Sequence, residues 1–127
     1  MTTIPSPTPY AAGLASAVEV EARTGWLAVA GLASLGAGAI HAAAIGVHSE
    51  HRSAVITFVV IAAVQLAWGV LAVVRSNRLV SLAGVAVGLG AIAGWVWAKV
   101  WGISLITGLD EAEPVQTADG LAAGLAA

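Results

Sequence analysis

Three apolar stretches dominate this chain, and each is about as long as a membrane is thick. They cover roughly residues 26–47, 53–74 and 79–103, where only His41 and Lys99 carry ionisable side chains. A helix rises about 1.5 Å per residue, so about 20 apolar residues cross a hydrocarbon core of roughly 30 Å. Because backbone polar groups inside lipid must bond to one another, the pattern predicts three membrane-spanning helices.

Composition supports the same fold class. Hydrophobic residues make up 59% of the chain and charged residues 9%, whereas soluble domains carry about 25% charged residues. The net charge of −2 and the lack of a basic run argue against a nucleic-acid partner. The chain has no cysteine, which excludes disulfides and thiolate metal sites. We predict an all-α, polytopic transmembrane helical bundle.

The chain divides into a tail and a membrane domain. Residues 1–24 are predicted to be an N-terminal tail, because Pro5, Pro7 and Pro9 alternate with small polar residues. Residues 11–21 could form a short surface helix there, without the basic start of a signal peptide. Residues 25–127 are predicted to be the transmembrane domain. Its fourth helix, about 117–127, is too short to cross a membrane. It is predicted to be either an interfacial helix or the start of a further span.

Charged residues in the short loops predict the orientation. Arg75 and Arg78 lie between the second and third spans, whereas Arg52 in the preceding loop is partly offset by Glu50. Loops rich in Arg and Lys stay in the cytoplasm. We therefore expect a multi-pass protein of the inner (plasma) membrane, with a cytoplasmic N-terminus and an extracytoplasmic loop between the first two spans.

The candidate metal-binding residues cluster around that loop. All three histidines of the chain, His41, His48 and His51, lie there beside Glu50. Imidazole nitrogens and a carboxylate are ligands for copper or zinc. His41 and His48 are two helical turns apart, about 10.5 Å, so joint ligation needs a break near Gly46. The hypothesis is a transition-metal site of these four side chains, in a metal-handling or accessory protein.

Other readings of the same residues stay open. His48 and His51 could be solvated loop residues, with His41 hydrogen-bonded to a backbone carbonyl or to Gln65. Gln65 itself is predicted to hydrogen-bond between helices, as amides in spans do. Haem ligation by His41 would need an opposing ligand that the other spans do not offer. An enzyme acting alone is not expected, because a loop cluster without a pocket cannot orient a substrate.

The third span carries two further features. Gly84 with Gly88, and Gly90 with Gly94, form small-xxx-small pairs suited to close helix packing. The alternative function is therefore a non-catalytic structural subunit of a larger membrane complex or homo-oligomer, docking through this glycine face. Three tryptophans around Lys99 indicate an interfacial belt past which the lysine snorkels. The alternative is a cation that faces the bundle interior.

Several segments resemble an uncharacterised family of small multi-span actinobacterial membrane proteins. In that family a Glu-Pro-Val segment leads into a further span, which implies that the chain continues beyond Ala127. The resemblance implies no established activity. The matching segments are Ile40-His41, His48-Ser-Glu50-His51, Gln65-Leu-Ala, Trp101-Gly-Ile and residues 108–119.

Overall fold

The computed structural model describes residues 8–112 and 114–127, apart from the side chains of Ala12 and Arg23. Over those residues the chain forms four helices and no strand, which confirms the all-α prediction. The helices are α1 (Pro9–Val47), α2 (Arg52–Val74), α3 (Arg78–Val100) and α4 (Thr117–Ala126). The first three are long and apolar enough to cross a membrane, as expected of a multi-pass membrane protein in contact with lipid.

The first helix begins much earlier than the predicted span. Thr8 caps it by accepting a hydrogen bond from the backbone N–H of Ala11, and Pro9 occupies the first turn. No proline interrupts the chain from Tyr10 to Val47, so the predicted surface helix over 11–21 is simply the N-terminal part of α1. At about 1.5 Å per residue α1 is about 58 Å long, so roughly half of it extends beyond a hydrocarbon core. Pro5 and Pro7 lie outside the described residues.

The other helix ends follow local sequence signals. Asn77 caps α3 by accepting a hydrogen bond of 3.0 Å from the backbone N–H of Val80. The helix ends at Val100, short of the predicted residue 103, because Gly102 adopts a left-handed φ of 71°. Gln116 and Asp119 form a reciprocal capping box at the start of α4.

The backbones of α1 and α2 approach closely where the two helices cross. A Cβ atom built on Gly31 would lie 2.8 Å from the carbonyl oxygen of Gly69, and the reverse distance is the same. The Ser34 hydroxyl, three residues after Gly31, donates a hydrogen bond of 2.9 Å to the Gln65 carbonyl. Small residues thus let two backbones touch, as is common in membrane helices. The sequence analysis placed the main small-residue face on α3 instead.

The four helices form a ring in the order α1, α2, α3, α4. Each helix packs on its two neighbours, and α3 packs more loosely than α2. The Trp68 indole N–H donates a hydrogen bond of 2.9 Å to the Val80 carbonyl, which ties α2 to the start of α3.

The predicted glycine face of α3 is only partly covered within the chain. Gly84 lies against the Trp68 ring and Gly88 against the Ala126 carbonyl, whereas a Cβ at Gly90 or Gly94 would meet no heavy atom within 4 Å. Docking of a partner subunit on this face stays a prediction.

The glycine crossing can be tested by adding one methyl group. We expect Gly69→Ala to lower the free energy of unfolding by about 1–3 kcal/mol, because the methyl group would overlap the Gly31 carbonyl and the Leu35 side chain. Gly46→Ala is the matched control, since nothing lies within 4 Å of its Cβ position. It should be neutral or stabilising by up to about 1 kcal/mol. The measurement is unfolding in mixed micelles on addition of a denaturing detergent, and equal effects would contradict the crossing.

Candidate functional site

His41 points from α1 toward α2 and joins the two helices. Its Nδ1 atom lies 2.9 Å from Oε1 of Gln65 and 3.0 Å from the backbone oxygen of Ala37. Gln65 is only 1% exposed and is the largest fully buried side chain among the described residues. These contacts confirm that Gln65 hydrogen-bonds between helices and that His41 bonds to it and to a backbone carbonyl.

Phe58 lies on α2, and its ring lies between His41 and His48. The His41 and His48 imidazoles both stack on it, with ring centroids 6.0 Å and 4.9 Å away and interplanar angles of 28° and 25°. Because the two histidines are about 10.5 Å apart along α1, a ring that stacks on both fills the interval between them. The sequence analysis missed Phe58. The sequence feature that could have indicated Phe58 is the short loop after Val47, which folds the first turns of α2 back beside the last turns of α1.

His51 and Glu50 lie outside this stack. His51 is the N-cap residue of α2, and its ring lies against Gly108, where a Cβ would come within 2.6 Å of the imidazole Cδ2. Gly108 also has a φ of 89°, a left-handed conformation that favours glycine. The contact therefore requires glycine both for space and for backbone conformation. The Ser53 hydroxyl donates a hydrogen bond of 3.1 Å to the Thr107 carbonyl, which holds the loop of residues 101–112 over the start of α2. Glu50 is exposed.

The predicted metal ligands are therefore not assembled as one group. Over residues 8–112 and 114–127, no set of three or more His, Cys, Asp or Glu side chains could hold a metal ion. The break near Gly46 that would have brought His41 and His48 together is not found, since α1 continues to Val47. Metal binding by His41, His48, Glu50 and His51, and copper or zinc as a cofactor, stay predictions.

The four helices line a partly open cavity of about 800 Å³. Polar groups line it at two levels. His48, Lys99 and Asp119 lie toward the end where α1 stops and α4 begins, whereas His41 and Gln65 lie deeper. Between and around them the walls are apolar, with residues Ala44, Ile61, Val64, Val87, Ala91 and Gly94.

Lys99 faces this cavity and is neutralised there. Its Nζ atom forms an ion pair with Asp119 and donates a hydrogen bond of 3.3 Å to the Pro114 carbonyl. The two charged side chains are 13% and 29% exposed. Intramembrane charges commonly pair in this way, and the contacts support the interior-facing reading of Lys99.

The tryptophans around Lys99 divide into two kinds. Trp97 and Trp101 are exposed, and their rings pack against each other at an interplanar angle of 57° with centroids 5.6 Å apart. Such exposure fits an interfacial belt. Trp95 instead lines the cavity, and its Nε1 is a buried donor with no acceptor in the described part of the chain. Of the three tryptophans predicted to form a belt, two are exposed and one lines the cavity, and the belt stays a prediction.

Comparison with protein-family models, curated proteins and solved structures finds no match to this chain. Membership of the actinobacterial family that the sequence resembles stays a prediction. The function is therefore inferred from the chain's own cavity and side chains.

Proposed function

We propose that this membrane protein binds a largely apolar small molecule in the partly open cavity lined by α1, α2, α3 and α4. The observation that carries the proposal is the cavity itself. Its volume of about 800 Å³ lies within the range of roughly 300–1,000 Å³ that ligand sites occupy. Ligand sites also share its character of apolar walls with a few convergent polar groups.

The polar groups of the wall support binding of an uncharged molecule. Lys99 and Asp119 neutralise each other, and the paired charges leave no net charge at this level of the cavity. Placing an unpaired charge in a low-dielectric environment is costly, so a charged guest would gain no compensation here. We infer an uncharged guest that is mostly hydrocarbon.

A holding role is supported better than catalysis. Gln65 is buried in its bond to His41, and Lys99 is engaged with Asp119 and Pro114. While held in these contacts, neither Gln65 nor Lys99 is free to act on a guest as a base or nucleophile. We therefore propose an accessory or carrier protein for a membrane-soluble molecule.

Filling the cavity tests this proposal. Gly94 lies on the same face of α3 as Val87, Ala91 and Ala98, which all line the cavity, and its Cβ position is open. We expect Gly94→Phe to abolish saturable binding of a hydrophobic fluorescent probe such as diphenylhexatriene to protein in lipid nanodiscs.

Ala93→Phe is the matched control, because Ala93 is exposed on α3 and does not line the cavity. It should bind the probe as the wild type does. Binding to wild-type nanodiscs no greater than to protein-free nanodiscs would refute the proposal.

We propose that the N-terminus is cytoplasmic and the loop around Ser49 extracytoplasmic. The support is the pair Arg75 and Arg78, which flank the short connection between α2 and α3. Because the chain has no cysteine, a single introduced cysteine is the only thiol that a maleimide can label. Ser49→Cys should react with a membrane-impermeant maleimide in intact cells, and Ser76→Cys only after permeabilisation. The opposite labelling would invert the topology.

A second candidate function is the handling of copper or zinc. One observation favours it: Nδ1 of His41 bonds to the Ala37 carbonyl, and metal-binding histidines commonly hold their second ring nitrogen in this way. Because Phe58 separates His41 from His48, ligands from another subunit or a second copy would have to complete the site.

Elemental analysis of the purified protein tests the metal hypothesis. Stoichiometric copper or zinc should be present and should be lost on combining His48→Ala with His51→Ala. Glu19→Ala, an exposed change on the N-terminal part of α1, should keep the metal. Metal-free wild-type protein, prepared without chelator, would refute this candidate while leaving the cavity proposal intact.

A further inference from the structure

The hydrogen bonds of His41 define which of its ring nitrogens carries hydrogen. A backbone carbonyl oxygen only accepts, and Nδ1 lies 3.0 Å from that of Ala37. Nδ1 is therefore the donor, and the Gln65 side-chain oxygen 2.9 Å away accepts from it as well. In the neutral imidazole the other nitrogen, Nε2, is then an acceptor with a lone pair.

This acceptor is left open. In the described part of the chain Nε2 has no hydrogen-bond partner, and the one buried unpaired side-chain atom found there belongs to Trp95. His41 itself lines the cavity and is only partly buried. Nε2 is therefore accessible, at a depth where lipid offers no donor.

We infer that the cavity selects a hydrophobic molecule bearing a hydroxyl group, which donates its hydrogen to Nε2 of His41. A hydroxyl supplies this donor without a net charge, unlike an ammonium group, and the nearby acid Asp119 is already paired with Lys99. This inference rests on the proposed binding function and names the chemical class of its ligand.

A matched pair of ligands tests it. The full chain in phosphatidylcholine nanodiscs is titrated with para-nonylphenol and with its methyl ether para-nonylanisole, and nanodiscs holding Gly94→Phe correct for partitioning into lipid. The phenol should bind roughly tenfold more tightly, as expected for one added hydrogen bond. Equal affinities would overturn the inference while leaving the binding function intact. Saturable binding of neither ligand would overturn both.

Two variants separate the acceptor from its surroundings. His41→Phe keeps a ring of similar shape but removes Nε2, so the preference for the phenol should vanish while anisole affinity stays within about twofold. Gln65→Met leaves the bond from Nδ1 to Ala37, so the preference should persist. Loss of preference in Gln65→Met but not in His41→Phe would place the acceptor elsewhere.

A spectroscopic measurement does not depend on the variants folding. Nitrogen NMR of histidine-labelled wild-type protein should show the Nε2 resonance of one histidine shifting on addition of phenol and unmoved by anisole. A shift of Nδ1 instead, or of no nitrogen, would overturn the assignment.

The hydroxyl could come from a free molecule or from a lipid of the bilayer. Phosphatidylcholine has no hydroxyl group, so adding diacylglycerol to the nanodiscs separates the two sources. Competition by diacylglycerol against the phenol would identify a bilayer lipid as the occupant. Phenol binding that is unaffected would identify a free hydroxylated molecule.

Discussion

The crossing of α1 and α2 at Gly31 and Gly69 is the contact on which the rest of the bundle depends. Lipid tails are as apolar as leucine, so membrane helices associate through packing and hydrogen bonds and gain little from the hydrophobic effect. Two glycines let the backbones touch, and that approach brings Ser34 to the Gln65 carbonyl and the Gln65 side chain to His41. A side chain at either glycine would overlap the carbonyl oxygen of the other.

Three polar residues of the spans are turned toward one cavity. His41 on α1, Gln65 on α2 and Lys99 on α3 are distant in sequence, yet they line the same cavity. Each has a hydrogen-bonding or oppositely charged partner there, which offsets the free-energy cost of placing a polar group in hydrocarbon. The cavity and the pairing have one cause, because residues that cannot face lipid must face the space between the helices.

The sequence predicts those parts of the structure that follow from hydropathy and from the need to satisfy polar groups. The three spans are predicted from long apolar runs. The hydrogen bond between Gln65 and His41 is predicted because polar side chains in adjacent spans commonly hydrogen-bond to each other. Which face of a helix turns inward does not follow, since these helices are apolar all round and give little directional signal. That is why the position of Phe58 between His41 and His48 was not predicted.

The glycine contact was missed for a different reason. Repeats within one helix are visible in sequence, as in α3, whereas Gly31 and Gly69 lie on different helices and only the register of the crossing pairs them. The ion pair of Lys99 with Asp119 likewise depends on where α4 turns back.

The attachment of α3 has a consequence for how the cavity is built. The Trp68 bond to Val80 secures one end of α3 and the Lys99 pair with Asp119 secures the other, while Gly90 and Gly94 between them meet no neighbouring side chain. The stretch of α3 around Gly90 and Gly94 therefore has room for larger side chains, whereas a side chain at Gly84 or Gly88 would meet Trp68 or Ala126.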